Sequence, residues 1–127
     1  MSNYPENLRY TSEHEWIDEA RPARVGITQA AVEELKDIVF VELPDVGQTV
    51  TAGDACGEIE SVKSVGELYS PVSGTVMEVN QAVIDEPELI NDDPYGAWLF
   101  AVEADGELPA TLLDAAGYAD LVASEKD

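Results

Sequence analysis

Short apolar runs separated by acidic and turn-forming residues extend along most of the chain, the pattern of a mostly β domain. "YTSEHEWIDE" (residues 10–19) and "RPARVGI" (21–27) predict two short strands joined through acidic and proline-containing turn residues. "TQAAVEELKDI" (28–38) predicts a helix, with Thr28 as its N-cap and Val32, Leu35 and Val39 near helical spacing. "VFVELP" (39–44) predicts a strand that Pro44 ends, because proline cannot donate to a central ladder. Gly47, Gly53 and Gly57 then fall at turn-like intervals. From there to "AWLFAVE" (97–103) β-prone runs alternate with Gly, Pro, Asn and Asp, with little helical periodicity. In the tail, Leu112, Leu113, Ala116 and Leu121 form an amphipathic pattern that predicts one or two short helices over 109–123. A faint internal echo, "VGQTV" (46–50) and "VSGTV" (72–76), suggests two halves of similar design in a sandwich with approximate two-fold symmetry.

Composition narrows the picture. A chain of 127 residues has room for one substantial core, so a single domain is expected, with any disorder confined to the first and last few residues. About a quarter of the chain is Leu, Ile, Val or Phe, above the ~20% below which a highly charged chain stays unfolded. With 27 acidic and 6 basic side chains, the net charge is −21. That argues against a nucleic-acid binder, which needs basic side chains to displace counterions, and equally against adhesion to anionic membranes. The single cysteine, Cys56, excludes an internal disulfide or a CxxC site and reads as a small buried hydrophobe. No apolar run approaches the ~18 residues of a membrane span. The first ten residues lack the marks of a signal or transit peptide, so a cytoplasmic protein is expected.

Charge also singles out one residue. There are three lysines, Lys36, Lys63 and Lys126, and Lys63 sits in the strand-like stretch "GEIESVKSVGELYSPVSG" (57–74) among Glu58, Glu60 and Glu67. Folded as a hairpin with Lys63-Ser64 at the tip, this stretch sets Val62 against Val65, Glu60 against Glu67 and Ile59 against Leu68. Lys-Ser is not the Asn-Gly pair that a two-residue primed turn prefers, and a longer turn including Val62 or Val65 is the alternative. A primary amine held out from a rigid β scaffold suits covalent attachment of a carried group. A modifying enzyme could grip the hairpin's shape and its flanking glutamates.

Six segments together carry a family resemblance: "YTSEHEW" (10–16), "VGIT" (25–28), "DIVFVELP" (37–44), "ESVKS" (60–64), "SPVSGTVMEVN" (70–80) and "PELINDDPYGAWLF" (87–100). In this order and spacing, from about residue 8 to about 123, the chain resembles the H proteins of the glycine cleavage system. Lipoyl domains of 2-oxoacid dehydrogenases would show D-K-A at the lysine and biotin carriers M-K-M. One departure is Lys36, where many family members have glycine. It falls at the predicted helix end, where a cation favours the helix dipole, and it puts the local cap in doubt.

The resemblance implies a lipoyl-carrier barrel-sandwich hybrid with a short inserted helix and C-terminal helices, spanning 1–127 as a single domain with its core at about 8–123. It implies lipoate in amide linkage on Lys63. The carried aminomethyl group of glycine would pass from glycine decarboxylase to an aminomethyltransferase, and dihydrolipoyl dehydrogenase would reoxidise the arm. A lipoate-attaching enzyme is a further implied partner, and the carrier itself is no enzyme. It is expected to act as a monomer, without nucleic acid, membrane or metal. The resemblance also implies that the loaded arm folds into a cleft lined by Glu15 and Glu67, with Ser12 nearby. His14 is expected to serve as a structural hydrogen-bonding group, Trp16 and Trp98 as core anchors, and Asn80 and Gly74 as turn or backbone-positioning residues. The alternative is a lipoyl-bearing scaffold that relays lipoate or serves another lipoate-dependent pathway; a third, a β sandwich used only for protein contacts, requires Lys63 to stay free. The resemblance does not explain the charge. A surface this acidic and this poor in lysine is expected in a high-salt cytoplasm, the acidic mesophilic carrier with basic partners being the blander reading.

Overall fold

A computed structural model describes residues 4–106, 109 and 111–125. Residues 1–3, 126 and 127, on which part of the expected terminal disorder and Lys126 fall, lie outside the described residues. Among these residues nine strands form two sheets. The larger comprises β1 (Arg9–Tyr10), β2 (Glu15–Ile17), β3 (Ala23–Ile27), β5 (Thr49–Val50), β8 (Gly74–Val79) and β9 (Phe100–Ala104), in the order β1-β2-β3-β9-β8-β5. The smaller comprises β4 (Ile38–Glu42), β6 (Ala55–Ser61) and β7 (Val65–Tyr69), in the order β4-β6-β7. Every pairing is antiparallel. The principal core runs through both sheets: Val25, Phe100 and Val102 from the larger meet Val41, Ile59 and Leu68 from the smaller.

The stretch at 10–19 is two strands, not one, because the Thr11–His14 turn intervenes, closed by the His14 N–H donating to the Thr11 carbonyl at 3.2 Å. The early helix is α1 (Gln29–Leu35), and the Thr28 hydroxyl caps it by accepting from the Ala31 N–H at 3.3 Å. It stops before Ile38 and Val39, which belong to β4. Two helices escaped the sequence reading, α2 (Gln81–Asp85) and α3 (Glu88–Asp92). Each is a little over one turn, too short to display a period. The Asn80 side chain caps α2, accepting from the Ala82 N–H at 3.2 Å and donating to the Trp98 carbonyl at 2.8 Å.

In the tail one helix forms, α4 (Ala115–Glu125), whose buried stripe is Ala115, Tyr118 and Val122, not Ala116. Leu113 precedes it and pairs with Tyr10 as an isolated bridge. Tyr118 stacks on Tyr10 with ring centroids 4.7 Å apart, at the centre of a second apolar cluster with Leu8 and Trp16. The two echo segments are direct neighbours: Thr49 faces Thr75 and Val50 faces Gly74 across an antiparallel pair. A Cβ on Gly74 would run into the Glu103 carbonyl of β9, so that glycine admits the close approach of the two strands.

Candidate functional site

Lys63 stands at the exposed tip of the β6–β7 hairpin, and its ammonium makes no hydrogen bond or ion pair with any described residue. The turn is the longer alternative. Glu58 faces Glu67, Ile59 faces Gly66 and Glu60 faces Val65, so the two-residue-turn register is corrected by two positions. A slip of two keeps every side chain on its own face, which is why the alternation in the sequence fits both. Ser61 decides between them. Its hydroxyl accepts from the Lys63 N–H at 3.2 Å and the Ser64 N–H at 3.0 Å, and its own N–H donates to the Ser64 carbonyl at 2.8 Å. The lysine's backbone is thus held while its side chain is free. On the outer face of this sheet the register lines up Glu42, Glu58 and Glu67 in one row.

Beside the tip a cleft of about 640 Å³ opens between the 12–15 turn, α1 and the hairpin. Ser12, Glu15 and Glu67, which the resemblance brought together, all line it, as does Ser64 next to the lysine. Ile27, Leu35 and Ile59 supply apolar wall, and Glu13, Glu34 and Glu125 add carboxylates; none of its lining residues is Lys or Arg. Apolar walls with a carboxylate rim suit a hydrocarbon arm that ends in a cationic group. A smaller cavity of about 280 Å³, between residues 18–23 and β9, holds none of the predicted site residues.

The two glutamates differ in character. Glu67 is exposed and accepts from the Tyr69 hydroxyl at 2.9 Å. Glu15 is 2% exposed. Its carboxyl takes the Thr11 hydroxyl at 2.6 Å and the Tyr69 N–H at 3.3 Å. Desolvation outweighs these bonds, and with the charge of Glu13 it pushes the Glu15 pKa up to about 8. Near neutral pH that shift favours the neutral form of Glu15. Cys56, part of the principal core's margin, has its thiol pushed up to about 12 by burial and by Glu15, which keeps it unreactive.

His14 closes one end of the cleft. A left-handed backbone, φ 72°, turns its ring toward α4, where Nδ1 lies 2.6 Å from the Tyr118 hydroxyl and Nε2 lies 2.9 Å from Glu125. The Tyr118 hydroxyl also meets Thr28 Oγ1 at 2.7 Å, so one junction ties the 12–15 turn, the α1 cap and α4 together. Trp16 is buried and donates to the Pro94 carbonyl at 3.1 Å, while Trp98 is half-buried beneath the Arg24 guanidinium. Sequence reading missed Thr11 and Tyr69, the partners that hold Glu15. A threonine heading an acidic run is a turn signal, and Thr11 Oγ1 does accept from the Glu13 and Glu15 N–H groups; Tyr69 carried no signal.

Two packed antiparallel sheets with a lysine on a hairpin tip define the barrel-sandwich hybrid class of lipoyl-carrier domains. A family model described as "Glycine cleavage H-protein" matches residues 8–125. The chain belongs to that family, the non-catalytic lipoyl carriers of the glycine cleavage system, whose members bear lipoate covalently. The glycine cleavage system H protein of Thermobifida fusca (strain YX) is 58% identical over 123 residues, covering 95% of this chain and 97% of that one. That of Streptomyces avermitilis is 52% identical over 127 residues, covering 98% and 100%. The crystal structure of a glycine cleavage system H protein from Mycobacterium marinum aligns with a TM-score of 0.82 at 46% identity, over 98% of this chain and all of that one.

Proposed function

We propose that Lys63 is the residue that carries lipoate, and that the cleft beside it receives the arm. The observation that supports this reading is the pairing of a free ammonium on a pinned backbone with an adjoining cleft of apolar walls and carboxylate rim. Lipoate held on Lys63 would supply a reducible disulfide, the chemistry needed to carry a one-carbon amine together with electrons. This chain's own residues present the arm and shield it: Ile27, Leu35 and Ile59 exclude water along its length, and Glu67 offers charge to a cationic end. Glu15 offers a proton-bearing oxygen until a cation draws it into the ionised form. In this reading the whole chain is one carrier domain with its core at 8–123. It serves, as a cytoplasmic monomer, a glycine decarboxylase, an aminomethyltransferase, a dihydrolipoyl dehydrogenase and a lipoate-attaching enzyme.

The acidic surface belongs to the same proposal as an adaptation to a salty interior. Among the described residues no lysine or arginine makes a salt bridge with a carboxylate, and the one close basic–acidic contact is His14–Glu125. The lysine assignment is tested by intact mass and peptide mapping of protein from its native cell. A lipoyl adduct on Lys63, absent from a Lys63→Arg variant that folds as before, is the expected result. An adduct on Lys36 or Lys126 would refute it.

A further inference from the structure

The lysine tip is tied to the rest of the molecule through a turn that another element grips. Within residues 62–64 the hydrogen bonds close on Ser61, with one exception: the Val62 N–H donates to the Asp37 carbonyl at 3.0 Å. Asp37 is the middle of the turn between α1 and β4. On one side of it Lys36 carries φ 70° and ψ −137°, a backbone that glycine adopts freely and a residue with a Cβ resists. Left unheld, that peptide would relax and carry the Asp37 carbonyl with it.

Besides the Lys36 N–H bond to the Val32 carbonyl and the Ile38–Ser61 pairing of β4 with β6, what holds it is Asn91 in α3. Its Nδ2 donates to the Lys36 carbonyl at 2.7 Å, and its Oδ1 accepts from the Ile38 N–H at 2.9 Å, so one amide spans the turn on both sides of Asp37. The neighbouring Ile90 is fully buried and fixes α3 in the principal core. The same turn ends α1, whose last residue, Leu35, forms cleft wall. Asn91 therefore sits where the cleft wall and the lysine tip are joined.

We propose that Asn91 is a positioning residue for Lys63: acting through the 36–38 turn and Val62, it sets the pose in which the tip is offered to a modifying enzyme and faces the cleft. The proposal rests on Lys63 being the attachment point. An isosteric acceptor alone does not suffice, because the Lys36 carbonyl needs a donor and the Ile38 N–H an acceptor. A loosened tip spends less time in the competent pose, and apparent affinity for the tip falls by that fraction.

The test uses the full chain as wild type, Asn91→Ala, Lys36→Gly and the double variant. Hydrogen exchange is followed at the Val62 amide, with β8 and β9 amides as reference, together with KM and kcat for lipoate transfer by a purified lipoate–protein ligase. In Asn91→Ala the Val62 amide is expected to exchange about tenfold faster, as for loss of about one hydrogen bond, while the β8–β9 amides hold. KM for the apo chain rises by a similar factor, with kcat unchanged. Glycine at 36 reaches the turn conformation without the grip, so the double variant recovers both readouts. Unchanged Val62 exchange in Asn91→Ala would overturn the proposal. So would an equal loss of protection in β8–β9, which marks a general stability role, or a double variant that recovers neither readout. A wild-type chain that accepts no lipoate at Lys63 would instead sink the attachment reading, and the Val62 exchange would still decide whether Asn91 holds the tip.

Discussion

Replacing Glu15 with glutamine separates the shape of that side chain from its charge. Glutamine can still accept the Thr11 hydroxyl or the Tyr69 N–H but cannot ionise. The carboxyl has its pKa raised from 4.5 to about 8 by burial. Below pH 4.5 folded and unfolded chains both hold the proton, and Glu15 costs nothing. Between 4.5 and 8 the unfolded chain releases it first, so stability falls as pH rises; above 8 the penalty is constant. At about 1.4 kcal/mol for each tenfold change in proton affinity, the full penalty is roughly 4–5 kcal/mol, an upper figure since water reaches the cleft. Urea unfolding followed by tryptophan fluorescence from pH 5 to 9 measures it. The other carboxylates titrate alike in both proteins and cancel in the difference. Glu15→Gln should gain stability over wild type progressively through that window, by several kcal/mol at pH 9. A difference flat to within about 0.5 kcal/mol would show that Glu15 ionises as an ordinary surface acid and that burial does not govern it.

Two further outcomes concern stability. Lys36→Gly removes a strain of about 1–3 kcal/mol and adds about 1 kcal/mol of unfolded-chain entropy, a net gain near 1 kcal/mol; calorimetry should find Tm higher by about 4 °C, and a lower Tm would contradict the strained-turn account. Tm should also climb steeply between about 0.1 and 3 M KCl, as screening shortens from about 10 Å at 0.1 M to about 3 Å already at 1 M. Glu58→Lys, placed between Glu42 and Glu67, should raise Tm by a few degrees at the low-salt end and little at the high end. A Tm that ignores salt would reject the high-salt reading.

The β-rich layout, the Thr28 cap, and the meeting of Ser12, Glu15 and Glu67 near Lys63 were legible in the sequence, the last of these through the family resemblance. Register was not. Alternation has a period of two, so it cannot distinguish a hairpin from its neighbour slipped by two, and the Ser61 hydrogen bonds that choose are invisible to a pattern. Lys36 looked like a cation favouring a helix end, yet what matters there is its backbone: φ 70° makes it a glycine-like position held by a side chain 55 residues away. The setting of Glu15 likewise includes the N–H of Tyr69 at the end of β7, a contact that the segment around Glu15 does not encode.

The order of strands has a consequence for how the chain is made. The sheet that carries Lys63 uses only residues 38–69, so it can pair before the C-terminal third has left the ribosome. The larger sheet cannot, because β9, the last strand synthesised, lies at its centre between β3 and β8. Until β9 inserts, the N-terminal strands and the β8–β5 pair are two separate fragments with exposed edges. The Tyr118 junction that closes one end of the cleft comes later still. The Lys63 tip can thus form early while the cleft beside it is completed last, so the final quarter of the chain decides whether tip and cleft coexist.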